Sequence, residues 1–204
     1  MPAPASSRHW PLWRAAIGLA LVFLLAACAG TSATPTPVAT PTVSSGPSNA
    51  ATTSASGGTF SISPAAQAYL VPLAGYEYVD LPPSVEQQMA GGFASNPAVV
   101  SVIKGYAATS VTRDGEGEAV ILVLDANESF TALPGSMDQF WTGVAGSSGA
   151  AVKTGAIAGK SVQTVDGAAS KLVGWHDANL IVLVFGSDMS ATQAVAEALI
   201  QAHG

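Results

Sequence analysis

Charge is scarce in this chain of 204 residues: only 10% are Asp, Glu, Lys or Arg, against about 25% in an ordinary soluble domain. Seven Lys+Arg face 13 Asp+Glu, a formal charge of −6. With no basic surplus to displace counterions from phosphates, nucleic acid is excluded as a partner. A single cysteine, Cys28, excludes an intrachain disulfide and any multi-cysteine zinc or iron–sulfur site. Three histidines leave little from which to build a His-based metal centre. No metal or cofactor is therefore expected. The nucleophile elbow G-x-S-x-G, the P-loop, the dinucleotide fingerprint and H-E-x-x-H are all missing. The 49% hydrophobic content is less than it looks, because 38 residues are alanine.

What is present begins with an address. Residues 1–14 carry Arg8 and Arg14 and no acid, residues 15–27 (AAIGLALVFLLAA) are apolar throughout, and Cys28 follows. A basic start, a short apolar run and small residues at its end describe a secretory signal. The run is shorter than the roughly 20 residues a transmembrane helix needs. Leu25-Ala26-Ala27-Cys28 resembles the lipobox of bacterial lipoproteins: an aliphatic residue, two small residues, then cysteine. The resemblance covers the leader alone. It implies that the Cys28 thiol receives a diacylglyceryl group and that residues 1–27 are removed. Each buried CH₂ of such an anchor contributes ~0.8 kcal/mol, so acyl chains hold a domain on a bilayer without a crossing helix. In lipoproteins of two-membrane bacteria, an Asp after the cysteine favours retention at the inner membrane. Here that residue is Ala29. The expected location is the cell membrane, lipid-anchored and facing outside the cytoplasm, or the outer membrane if the cell has one.

Residues 29–58 contain no charged and no aromatic residue and are dominated by Ser, Thr, Pro, Ala and Gly. Such composition buries too little apolar surface to offset ordering entropy. With Cys28 they make an expected lipidated, disordered tether, 28–58, that lifts a domain off a lipid surface. Residues 59–204 form the expected single globular domain. All 13 acids lie there against five bases, so the mature chain carries about −8.

Within that domain, hydrophobic spacing predicts antiparallel hairpins. FSIS at 60–63 alternates. Pro82-Pro83-Ser84 opens a helix with Val85, Met89 and Phe93 at i, i+4, i+8. Val99–Thr112 reads as a strand bent at Gly105, Asp114-Gly115 as a turn, and Glu118–Asp125 as a buried strand. Ser136 with Gln139 resembles a capping box opening a helix to Gly146. Strands over 151–157, 160–165, 169–175 and 180–186 precede a last helix from Ser190 to Ala202. The segments from Gly105 and from Gly167 can be laid on each other, each a hairpin followed by a helix. The fold class is α+β: a mainly antiparallel sheet of hairpins carrying two or three helices, with two β-hairpin–helix units sharing one sheet.

Candidates for chemistry are few. Asp114, Glu116, Glu118 and Asp125 mimic an EF-hand spacing, but its sixth position is Ala119 where glycine is needed, and VILVL follows. His176-Asp177 could supply an acid–base pair, yet adjacent turn residues rarely face each other; Glu128 is a third candidate. Asn127-Glu128-Ser129 matches a glycosylation acceptor. Trp141 and Trp175 suit a core, and His203, the penultimate residue, is expected to fray. Tyr76 and Tyr78, two apart on a predicted strand and thus on one face, are the candidate partner contact. No residue is assigned as catalytic. The expected function is a membrane-anchored envelope lipoprotein whose domain is a non-catalytic binding module for a protein or small ligand. An extracytoplasmic enzyme and a purely structural surface protein are the alternatives.

Overall fold

The computed structural model describes residues 61–204. The leader, Cys28, the tether and the first two residues of the expected domain lie outside the described residues.

Two strands carry the centre of the fold: β3 (Glu116–Ala126) and β7 (Leu180–Gly186), which pair antiparallel from Val120↔Phe185 to Asp125↔Leu180. Both are buried for nearly their whole length. That is why VILVL and LIVLVF run apolar instead of alternating: a strand covered on both faces must be hydrophobic on both. Around them stand β1 (Glu77–Val79), β2 (Ile103–Arg113), β4 (Val152–Ile157), β5 (Lys160–Asp166) and β6 (Lys171–Asp177). The result is one seven-stranded antiparallel sheet in the order β1-β2-β3-β7-β6-β5-β4.

The two pleat faces bury separate cores. Val120, Leu122, Leu124, Leu172, Ile181 and Leu183 point to the first face, beneath α2 (Pro83–Ala94), α3 (Pro97–Val102) and α5 (Ser136–Ser148). Met89 and Phe93 of α2 and Trp141 and Val144 of α5 close that core. Ile121, Val123, Val173, Trp175, Val182 and Val184 point to the second face, beneath α1 (Pro64–Ala68) and α6 (Met189–Ala202). The short α4 (Glu128–Thr131) links β3 to α5. In α6 the buried stripe is Thr192, Val195, Ala196, Leu199 and Ile200. Ala202, at the end of the helix, is exposed.

The architecture is the α+β arrangement read from the pattern, with three long helices on the sheet. The hairpins β2–β3 and β6–β7 meet at the β3–β7 pair, and each leads into a helix. Those helices, α5 and α6, pack on opposite faces.

Several details differ from the sequence reading. Residues 97–102 form α3 before β2 begins at Ile103; Pro97 suits a first helical turn, while the valines that follow read as strand. Ser136 is not a cap. Its hydroxyl donates to the carbonyls of Phe130 (2.6 Å) and Leu133 (2.8 Å), and Gly135 at φ 79° takes the N-cap position. α6 is capped by Asp188, whose carboxylate accepts from Ala191 N–H at 2.9 Å, two residues earlier than Ser190. The described part of the alternating segment, Ser61–Ser63, contributes a single parallel bridge, Ile62↔Tyr106.

Candidate functional site

Two carboxylates of the second face stand at one end of the sheet. Register places Asp125 of β3 beside Leu180 of β7, and Leu180 beside Asp177 of β6. The two aspartates thus stand in one row, two strands apart. The chain enters the described fold directly above them. Ser63 N–H donates to the Tyr106 carbonyl at 2.9 Å, and Tyr106 N–H donates to the Ser61 carbonyl at 3.2 Å. This close approach needs Gly105: a β-carbon there would sit 2.6 Å from the Ser61 carbonyl oxygen.

Ser63 caps α1, accepting from Ala66 N–H at 3.3 Å, while its hydroxyl donates to Asp125 Oδ2 at 2.7 Å. Lys104 Nζ lies 2.7 Å from the other oxygen, Oδ1; the Asp125 side chain is only 12% exposed. Every strong acceptor of this buried carboxylate is therefore engaged from within the chain. Ser63 is likewise engaged twice, as donor to Asp125 and acceptor from the helix.

A second constellation follows at the other end of α1. Tyr69 is buried, and its hydroxyl accepts from Trp175 Nε1–H at 3.2 Å and donates to Asp177 Oδ2 at 3.4 Å. Lys160 Nζ lies 3.1 Å from the same Oδ2. Burial pushes the Tyr69 phenol above its ordinary value, an effect the Trp175 bond partly offsets and the Asp177 charge adds to. His203 does not fray. Its ring stacks on Tyr69 at 3.8 Å between centroids and 14° between planes, and its Nε2 donates to the Tyr69 carbonyl at 2.9 Å. The entry segment and the C-terminal turn are thus pinned to each other. His176 is exposed on β6, and its neighbour Asp177 is occupied by Tyr69 and Lys160. Sequence reasoning did not find the Ser63–Asp125–Lys104 and Trp175–Tyr69–Asp177–Lys160 sets. Their members are up to 108 residues apart, and only the row of registered strands brings them together.

Tyr76 and Tyr78 lie at the opposite end, Tyr78 within β1 and Tyr76 just before it rather than on the same strand. Both are half-buried against the rim of the second-face core. The Tyr78 hydroxyl donates to the Val71 carbonyl at 2.6 Å, and burial pushes its pKa up to about 12. Tyr76 is the more outward of the two in its bonding. The Arg113 guanidinium lies 4.2 Å from its ring centroid and donates to its hydroxyl, so a cation–π contact and a hydrogen bond fix the ring.

The remaining candidates are placed as follows. Asp114, Glu116 and Glu118 are at the β2–β3 hairpin, and no set of three or more His, Cys, Asp or Glu among the described residues is arranged to hold a metal ion. The Asn127 amide donates to the Ser101 carbonyl at 2.8 Å and Glu128 is exposed in α4. Trp141 and Trp175 are both core residues, 4% and 2% exposed.

Compared with known proteins, the chain matches no family model, and no curated protein or solved structure matches it at a significant level.

Proposed function

We propose that the chain is a bacterial envelope lipoprotein, anchored through Cys28 and facing outside the cytoplasm, whose domain is a non-catalytic binding module. The observation that carries this reading is the leader: a basic start, the apolar run 15–27, and Leu25-Ala26-Ala27-Cys28 at its end. The chargeless stretch 29–58 then acts as a spacer that delivers the domain at Ser61. Among the described residues no helix is long and apolar enough to cross a membrane, so in this reading attachment falls to the acyl chains. Non-catalytic binding is favoured because the polar groups at the entry end are tied to one another. Ser63 is bound to Asp125, and Asp177 to Tyr69 and Lys160. Tyr76 and Tyr78 remain the aromatic contact pair in this reading, with the Tyr76 ring held by Arg113.

Cys28→Ser tests the anchor. Metabolic labelling with a radioactive fatty acid should mark the wild-type protein and leave the variant unlabelled and unprocessed or released. Equal label in both would remove the lipoprotein reading. A partner that cross-links to the wild type and not to Tyr76→Ser, with folding unchanged, would support the tyrosine contact.

A further inference from the structure

The two edges of the sheet are treated differently. At one edge, β1 is only three residues long, and the stretch of β2 beyond it is bonded by the entering residues Ser61–Ser63. At the other, β4 runs six residues, Val152–Ile157, without a proline or a bulge, and nothing among the described residues pairs with its outer side. Its four central residues, Lys153, Thr154, Gly155 and Ala156, are exposed.

Register identifies the free groups. Ile157 and Lys160 flank the two-residue turn Ala158-Gly159, whose φ values are 47° and 80°. Residues flanking such a turn exchange both backbone bonds, and the pattern alternates from there. Lys153, Gly155 and Ile157 therefore spend their N–H and C=O groups on β5. Val152, Thr154 and Ala156 turn theirs outward, an array that adds a further strand. Small side chains at Thr154, Gly155 and Ala156 leave the approach open.

Charge says what kind of strand fits. The domain holds 13 acids and five bases, yet the β4–β5 hairpin holds Lys153 and Lys160 against a single acid, Asp166, which is bonded to Lys171. Lys160 is spent on Asp177. The Lys153 ammonium has no ion-pair partner within salt-bridge distance among the described residues. Since Lys153 bonds inward, it would face an added antiparallel strand in a non-hydrogen-bonded pair, where opposing side chains come closest.

We infer that the β4 edge is a docking site for an extended segment of another protein, added antiparallel as an eighth strand with an acidic residue opposite Lys153. A second copy of this chain is the poorer occupant, because edge-to-edge pairing would set two Lys153 side chains, neither in an ion pair, across one short interface. The inference does not depend on how the chain is anchored.

The test uses the full-length chain in detergent and a capped nine-residue peptide of alternating Val and Thr with a central Asp, beside a twin with a central Lys. The Asp peptide should bind at least tenfold more tightly than the Lys peptide by fluorescence anisotropy. It should also slow hydrogen exchange at Val152, Thr154 and Ala156. Lys153→Glu should reverse the preference. Thr154→Pro deletes one outward N–H while sparing the ladder to β5, and should abolish binding with the unfolding midpoint unchanged. If Thr154→Pro perturbs folding, Thr154→Ala must then keep wild-type binding, since it retains the N–H. Equal affinity for the two peptides, protection elsewhere, or a β4-dependent dimer that excludes the peptide would each overturn the inference. None of these results alters the fatty-acid labelling of Cys28, so the two readings fail separately.

Discussion

The indole of Trp141 fills the space that a side chain at Gly174 would need. A β-carbon at Gly174 would lie 2.6 Å from Trp141 Cη2, 2.9 Å from Cζ3 and 2.9 Å from the Val182 carbonyl oxygen. The glycine lets α5 press its largest side chain onto β6, and Trp141 there is only 4% exposed. Gly174→Ala should therefore destabilise the fold by about 1–3 kcal/mol, the usual cost of overpacking. Trp141→Leu in the same chain should recover part of that loss, and the two effects should couple rather than add. The Val182 carbonyl keeps the recovery incomplete. Urea midpoints of the four variants measure this; strict additivity would show that the two residues do not share the space.

Ser63 holds the entry segment to the sheet through two bonds, to Asp125 Oδ2 and from Ala66 N–H. Ser63→Ala removes an N-cap, worth about 1 kcal/mol, and a buried charge-assisted bond, worth about 1.5–3 kcal/mol. Lys104 still pairs with Asp125, so the loss should fall near 2 kcal/mol rather than at the sum. Hydrogen exchange at Ser63 and Tyr106, whose amides tie this segment down, should accelerate more than exchange in β7. Uniform acceleration would mean the segment unfolds only with the whole domain.

The strands were legible because burial on both faces writes itself into the chain as runs such as VILVL and LIVLVF, punctuated by Asp114-Gly115 and Ala158-Gly159. Met89 and Phe93 announced α2 by their spacing in the same way. Competing local signals hid the rest. Val99, Val100 and Val102 favour strand, yet residues 97–102 are helical. Ser136 and Gln139 imitate a capping box, although Ser136 turns its hydroxyl back to Phe130 and Leu133. At the candidate site, His203 pairs with Tyr69 across 134 residues. Composition and period cannot report such a contact; it exists only once α1 and α6 share the second face. The tyrosines at 76 and 78 were legible as neighbours on one face, whereas the Val71 carbonyl that engages Tyr78 was not.

Ala178 carries a φ of 49° in the β6–β7 turn, and Ala158 a φ of 47° in the β4–β5 turn. A left-handed backbone costs a residue with a β-carbon about 1–2 kcal/mol, which glycine escapes. Glycine also raises the unfolded entropy, at a cost of about 0.4–1 kcal/mol. Ala178→Gly should therefore stabilise the protein by up to about 1 kcal/mol, read as a rise in the urea midpoint with an unchanged slope. A fall in midpoint would place the strain elsewhere. The paired strands on both sides of the turn, from Asp177↔Leu180 onward, should keep their register.

Tyr78 links stability to alkaline pH. Its folded pKa is pushed up to about 12 from an ordinary 10.0, with burial as the cause. Between these values the folded state keeps the phenol proton and the unfolded state releases it. Stability therefore stays intact below pH 10 and falls as pH rises toward 12. Tyr69 and Tyr106 are shifted in the same direction, again mainly by burial, so the wild-type decline has three contributors. Tyr78→Phe should lower stability at pH 7 by about 0.5–1.5 kcal/mol, through the lost bond to Val71. It should also flatten the decline above pH 10, because one of the three protons is gone. Unfolding midpoints from pH 8 to 12 separate the two effects. An unchanged slope would show that the Tyr78 phenol reaches solvent freely, which would favour its use as a surface contact. A flatter slope with Tyr76→Ser silent in stability would leave Tyr76, held by Arg113 at the rim, as the tyrosine available to a partner.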